Sequence, residues 1–214
     1  AAEVAVVQSV KDVINVASIS LSFADYAFAK AGQYAADKDN AGNATVNVAG
    51  GNIFAGFGAP QTLNIGSGIT IQGRGGLTQS SVATINNAGT IIANTAGQTF
   101  TINPATFNNT GTLSANAGTL TLGSAMTSAQ VGTVTRSNSG LVNYTSTLTN
   151  TGNVLDIGTG PGGLSMTSFS GTIVGGTVIS TDGTVLSGGG ALTGVTLGDA
   201  SNSNFTTSGN AFIS

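Results

Sequence analysis

Apolar residues along this chain change their spacing once, near residue 40. Before that point Val7, Val10, Ile14, Ala17, Leu21, Ala24, Phe28 and Ala31 follow alternating intervals of three and four. This is the a/d seam of an amphipathic helix. Val6, Val13 and Ala27 widen it, and neither Gly nor Pro interrupts it before Gly32. The pattern predicts one N-terminal α-helix within about residues 3–37 of a region spanning 1–40. Turn-forming residues between Asp37 and Gly42 supply its stop.

From residue 41 to 214 the helical period disappears and a longer one replaces it. Gly followed by a β-former recurs at Gly68-Ile69, Gly89-Thr90, Gly111-Thr112, Gly132-Thr133, Gly152-Asn153-Val154, Gly171-Thr172 and Gly194-Val195. Successive glycines lie 21, 22, 21, 20, 19 and 23 residues apart. The clearest copies are Ile85-Asn86-Asn87-Ala88-Gly89-Thr90-Ile91 and Phe107-Asn108-Asn109-Thr110-Gly111-Thr112-Leu113. A period near 21 indicates stacked structural units. Each unit offers short alternating strands separated by Gly, Asn and Ser, which accept the left-handed backbone of tight corners.

The expected fold is therefore mainly β, a parallel β-helix of about 21 residues per coil, with the α-helix at its N-terminal side. About eight coils stacked roughly 4.8 Å apart make a rod of about 40 Å. The helix, at about 42 Å, matches that length, which suggests that it lies along the rod. Ile91, Leu113, Val134, Val154 and Ile173 are expected to form one buried stack, and the repeated Asn an amide ladder.

The segments FNNTGTLSANAGTLTL and FSGTIVGGTVISTDGTVLSGGGALTGVTL resemble the repeats of filamentous-haemagglutinin-like and autotransporter-passenger adhesins. The resemblance is one of repeat style over about residues 43–214. It implies a right-handed coil, export to the bacterial cell surface and a structural or adhesive role, in filaments or biofilm. The N-terminal helix departs from that pattern, since such proteins usually begin with a β-capped secretion module.

Composition narrows the chemistry. Five charged residues follow Asn40: Arg74, Arg136, Asp156, Asp182 and Asp199. The chain has no histidine and no cysteine, which removes Ser-His-Asp and Cys-His nucleophiles and His or Cys metal sites. A net charge of −3 without a basic stripe argues against nucleic acid. No apolar run approaches the roughly 20 residues of a membrane span. A glycosidase needs paired carboxylates, but Asp156, Asp182 and Asp199 stand 26 and 17 apart, out of step with the period. Gly158-Thr159-Gly160-Pro161-Gly162-Gly163 matches a dinucleotide fingerprint, yet the strand-like Leu164–Phe169 follows it where a helix is required. Calcium is disfavoured by too few carboxylates.

A Thr-x-Thr ladder suggestive of ice binding has two rungs, at Thr99-x-Thr101 and Thr119-x-Thr121, before the spacing breaks at Thr133. The expectation is thus a non-enzymatic extracellular surface protein with no cofactor. Its expected partners are other copies of itself, with surface carbohydrate as an alternative; a carbohydrate- or ice-binding module is the second reading. Association is expected through Val7, Val10, Ile14, Leu21 and Phe28 at one end and Phe212 and Ile213 at the other. Unpaired strand edges at the last coil motivate that expectation.

Overall fold

The computed structural model describes residues 13–16, 43–56, 58–198, 207–208 and 212–213. These residues form a parallel β-solenoid of about 7 turns with a repeat near 22 residues. Every strand pair among them is parallel, and the chain visits three faces in a fixed order, here called A, B and C. Parallel stacking follows from the repeat: each corner returns the chain to the same face one rung further on, so every strand meets its own equivalent.

Face A stacks Val13–Val16, the first half of Ala44–Ala55, the first half of Ile69–Gln79, Thr90–Ala93, Thr112–Asn116 and Thr133–Ser137. Face B stacks the second halves of the same two long strands with Thr99–Ile102, Thr119–Leu122, Leu141–Tyr144 and Ser168–Phe169. Face C begins with Gln61–Ile65, Ala83–Asn87 and Thr106–Asn109. It resumes with Met126–Thr127, Thr147–Thr149, Thr172–Val174, Ala191–Thr193 and Phe212–Ile213. In the first coils faces A and B are one bent ribbon, and the bend is glycine-built. Gly73 has φ 122°, and a Cβ there would collide with the Val48 carbonyl of the neighbouring rung.

Alternation along each strand sends every second side chain inward, and parallel register lines these up as columns. On face A the buried column is Val46, Ile71, Ile91, Leu113 and Val134. On face B it is Ile53, Leu77, Ile102, Leu122, Tyr144 and Phe169. On face C, Met126, Leu148, Ile173 and Leu192 form the later column.

Two expectations need correction here. The five-residue stack holds only through Ile91, Leu113 and Val134. Val154 is 65% exposed, its neighbour Leu155 is the buried residue, and Ile173 belongs to the face C column. The cause is a change of phase after Ser137. The next strand in face A's place in the chain order, Val154–Asp156, pairs with Thr177–Ile179 and not with Thr133–Ser137. Between them Leu164, Ser165 and Met166 are tucked in, bonded back to the carbonyls of Asp156, Gly158 and Ile157.

The second correction concerns the helix. Val13–Val16 is a strand paired in parallel with Thr45–Val48, Ile14 opposite Val46. A Val-Ile-Asn-Val run suits a strand as well as a helical seam, and pairing supplies the rung that Thr45–Val48 would otherwise lack on that side. The remainder of the predicted helix lies outside the described residues. The one short helix that is described, Ser128–Val131, lies within the solenoid between faces C and A.

Candidate functional site

The outward positions of the sheets are where this fold can meet a partner, and they too are columns. On face A, Thr45, Thr70, Thr90, Thr112 and Thr133 are successive rung partners. Two residues further along each strand stand Asn47, Gln72, Ile92, Ser114 and Thr135. On face C, Thr62, Thr84 and Thr106 stack beside Asn64, Asn86 and Asn108. The Thr99 and Thr101 pair does stack on Thr119 and Thr121, but Leu141 and Asn143 occupy the next rung. The longest threonine column is thus on face A, hidden in the sequence by coil lengths that range from 20 to 25 residues.

The expected amide ladder exists in two copies. On the outer surface of face C, Asn86 Nδ2 donates to Asn64 Oδ1 at 2.9 Å and Asn108 Nδ2 to Asn86 Oδ1 at 2.9 Å. Gln130 Nε2 adds a fourth rung by donating to Asn108 Oδ1 at 2.6 Å. Inside the corner, buried Asn87 donates through Nδ2 to Asn109 Oδ1 at 2.7 Å, and Asn109 Nδ2 donates to the Val131 carbonyl at 2.6 Å. In the outer ladder Asn86 and Asn108 each donate to the amide of one neighbouring rung and accept from the other. In the inner ladder the Asn87 and Asn109 oxygens also accept from Gly89 N and Gly111 N of their own coils.

Asp156 and Asp182, read as out of step with the repeat, are in fact neighbours on successive coils. Asp156 pairs in register with Ile179, three residues before Asp182. A Cβ added to Gly158 would stand 2.6 Å from Asp182 Oδ1 and 3.0 Å from Asp156 Oδ1. Their oxygens are already engaged. Asp182 Oδ2 accepts from Thr159 N at 2.7 Å and Thr159 Oγ1 at 2.6 Å, and its Oδ1 from Thr184 N at 2.9 Å. Asp156 Oδ1 accepts from Gly158 N at 2.8 Å and Thr181 N at 3.2 Å, and its Oδ2 from Thr181 Oγ1.

The Thr159 and Thr184 bonds hold the Asp182 carboxyl far below the usual carboxylate range. A general acid needs the opposite shift, so Asp182 acts as an ionised clasp on the Thr159 corner, and Asp156 holds the Thr181 corner by hydrogen bonds. Among the described residues no group of three His, Cys, Asp or Glu converges on a point.

Gly158–Gly163 closes as a turn, with Gly163 N bonded to Gly160 O at 2.9 Å, and no helix follows it. Tyr144 anchors the tucked-in segment that comes next: its buried hydroxyl donates to the Leu164 carbonyl at 3.3 Å, and burial raises its pKa, keeping it protonated.

Of the proposed association residues, Val7, Val10, Leu21 and Phe28 lie outside the described residues. Ile14 sits in the strand facing Thr45–Val48, and Phe212 and Ile213 pair with Ala191 and Leu192. Each of these two strands is paired on one side only among the described residues.

One feature escaped the sequence reading. At the corner between faces A and B, Arg136, Ser137, Asn138, Ser139, Gly140 and Leu141 line an open cleft of about 380 Å³. Its signal is visible only once the register is known: Arg136 follows Ala115, Ala93, Gly73 and Val48 in one column.

Fold and surface together define a parallel β-solenoid with uncharged polar columns on its faces. Comparison with known proteins finds no matching family profile, no matching curated protein and no matching solved structure.

Proposed function

We propose that this chain is a non-enzymatic structural and adhesive segment of an extracellular rod or filament on a bacterial surface. The observation that carries the reading is the five-rung threonine column of face A, with its flanking amide and hydroxyl positions. Such a surface offers the same weak hydrogen-bonding group once per rung. Contacts that are individually feeble become effective when several engage one extended partner together. The resemblance to adhesin repeats supports the surface setting.

In this reading the rod also associates with copies of itself. Val7, Val10, Ile14, Leu21 and Phe28 supply one contact surface and Phe212 and Ile213 the other. Among the described residues the strands Val13–Val16 and Phe212–Ile213 are each paired on one side only, which supports it, because an open strand edge pairs readily with another chain. Light scattering with electron microscopy on the purified chain tests association. Rods longer than one chain are expected; a strictly monomeric particle at high concentration refutes it.

The second reading, a carbohydrate- or ice-binding module, is favoured by the same threonine column. Thermal-hysteresis measurement and cosedimentation with insoluble polysaccharide separate it from a purely structural rod.

A further inference from the structure

The cleft at Arg136 combines three departures from the regular coil within six residues. The first is Arg136 itself. Its rung partners in the preceding coils are Val48, Gly73, Ala93 and Ala115, all small, and Val48, Ala93 and Ala115 are buried. A small residue at 136 would continue that column, and the arginine instead carries its guanidinium out to solvent. No side-chain hydrogen bond or ion pair engages it among the described residues.

The second departure is Leu141. Its partners on the outward column are Thr99 and Thr119, yet it presents an apolar side chain that is 47% exposed.

The third is the turn between them. Gly140 N bonds to Ser137 O at 2.8 Å across Asn138 and Ser139, which have φ of 48° and 60°. Two consecutive non-glycine residues in the left-handed region are costly. One coil earlier a shorter link, Ala117-Gly118, makes the same corner. Ser137, at the strand end, and Ser139, in the turn, are exposed, and among the described residues their hydroxyls have no hydrogen-bond partner. Asn138 spends only its Nδ2, on Asn116 Oδ1 at 2.7 Å, leaving its Oδ1 open.

The backbone adds a donor. Among the described residues no strand pairs with the outer edge of Thr133–Ser137, and Ser165 Oγ donates to the Val134 carbonyl there at 3.3 Å. N–H and C=O groups alternate sides along a strand, so the Arg136 N–H faces the same unpaired edge as the Val134 carbonyl.

We propose that this cleft is a binding subsite for an acidic saccharide residue. The Arg136 guanidinium takes the carboxylate, Ser137, Asn138 and Ser139 take ring hydroxyls, and Leu141 packs on the apolar face of the ring. A planar guanidinium matches a carboxylate in a two-point bond. Mixed hydroxyl, amide and apolar surface suits a sugar, and the volume lies within the range of small-molecule pockets. Asp156 and Asp182 are held by Thr159, Thr181 and Thr184, and neither forms an ion pair with Arg136. The single cation and the chain's net charge of −3 fit the capture of one carboxylate, and not of a densely charged polyanion. This inference deepens the adhesive reading by naming a ligand class, and the cleft stands whether or not the chain forms filaments.

The test is amide NMR on the isotope-labelled chain, titrated with a short oligogalacturonate, its methyl ester and sodium acetate. Saturable shifts confined to residues 134–141 are expected with the oligogalacturonate. At least about tenfold weaker binding is expected for the methyl ester and for Arg136→Gln, since both remove a charge-assisted two-point bond. Arg74→Gln, which removes the other arginine beyond residue 40, should bind as the parent does. Equal binding by the methyl ester, no effect of Arg136→Gln, or an equal loss in Arg74→Gln would each overturn the proposal. Acetate binding as tightly as the oligosaccharide would overturn the saccharide assignment. An unchanged spectrum away from the cleft verifies that Arg136→Gln is folded.

Discussion

Replacing Asn109 by alanine probes how much the inner amide ladder contributes. Asn109 is 2% exposed, and its side chain joins three rungs. Its loss strips the Val131 carbonyl of a 2.6 Å bond and leaves Asn87 Nδ2 with only the longer bond to Gly89 O at 3.3 Å. The Gly111 N–H, which also donates to Asn109 Oδ1, keeps the Asn87 carbonyl at 3.1 Å. Two buried groups are thus left wholly or mainly unsatisfied. At about 1–3 kcal/mol for each such group, and with partial relaxation, the expected loss is about 2–4 kcal/mol.

Asn86→Ala removes a geometrically similar rung from the half-exposed outer ladder, where water replaces the lost bonds. There the expected loss is no more than about 1 kcal/mol. Urea unfolding followed by circular dichroism compares the two variants, with hydrogen exchange at Asn87, Gly111 and Val131 as the local readout. Equal destabilisation by the two substitutions, or a loss at 109 below that at 86, refutes the reasoning that burial makes the inner ladder matter.

Other substitutions test other parts of the structure. Leu113→Ala should cost about 2–5 kcal/mol as a cavity in the face A column, while Val154→Ala, at an exposed position, should stay within about 0.5 kcal/mol in the same unfolding assay. Gly73→Ala puts a Cβ against the Val48 carbonyl in a left-handed conformation, so soluble folded yield should fall sharply. Asp182 has a depressed folded pKa, so its contribution is present above the unfolded value near 3.9 and is lost as pH falls through the folded one. Asp182→Asn should therefore lower stability at neutral pH, flatten the acid limb of the pH–stability curve, and speed exchange at Thr159 and Thr184.

Much of this architecture was legible in the residues alone. The glycine-to-β-former period near 21 specified stacked coils, because a unit that cannot bury its own apolar side must stack on its neighbours. The Asn-Asn pairs at 86–87 and 108–109 announced an amide ladder, and the pairing shows two, one outside and one buried, because adjacent residues on a strand point to opposite sides. Register was another matter. Corners tolerate added residues cheaply, so coils of 19 to 25 residues can all close, and only the pairing reveals which side chains meet.

That is why Val154 turned outward after the tucked-in segment at 164–166, and why Asp156 and Asp182, 26 apart, came to flank one glycine. It is also why Arg136 was unremarkable until its column partners were known. At Val13–Val16 local periodicity and tertiary pairing competed: three β-branched residues in four suit either state, and the open edge of Thr45–Val48 decided for the strand. The sequence by itself determined the kind of fold and its repeating chemistry. Alignment between coils, on which every candidate site depends, is a property of contacts between residues some twenty apart and was decided only in the tertiary structure.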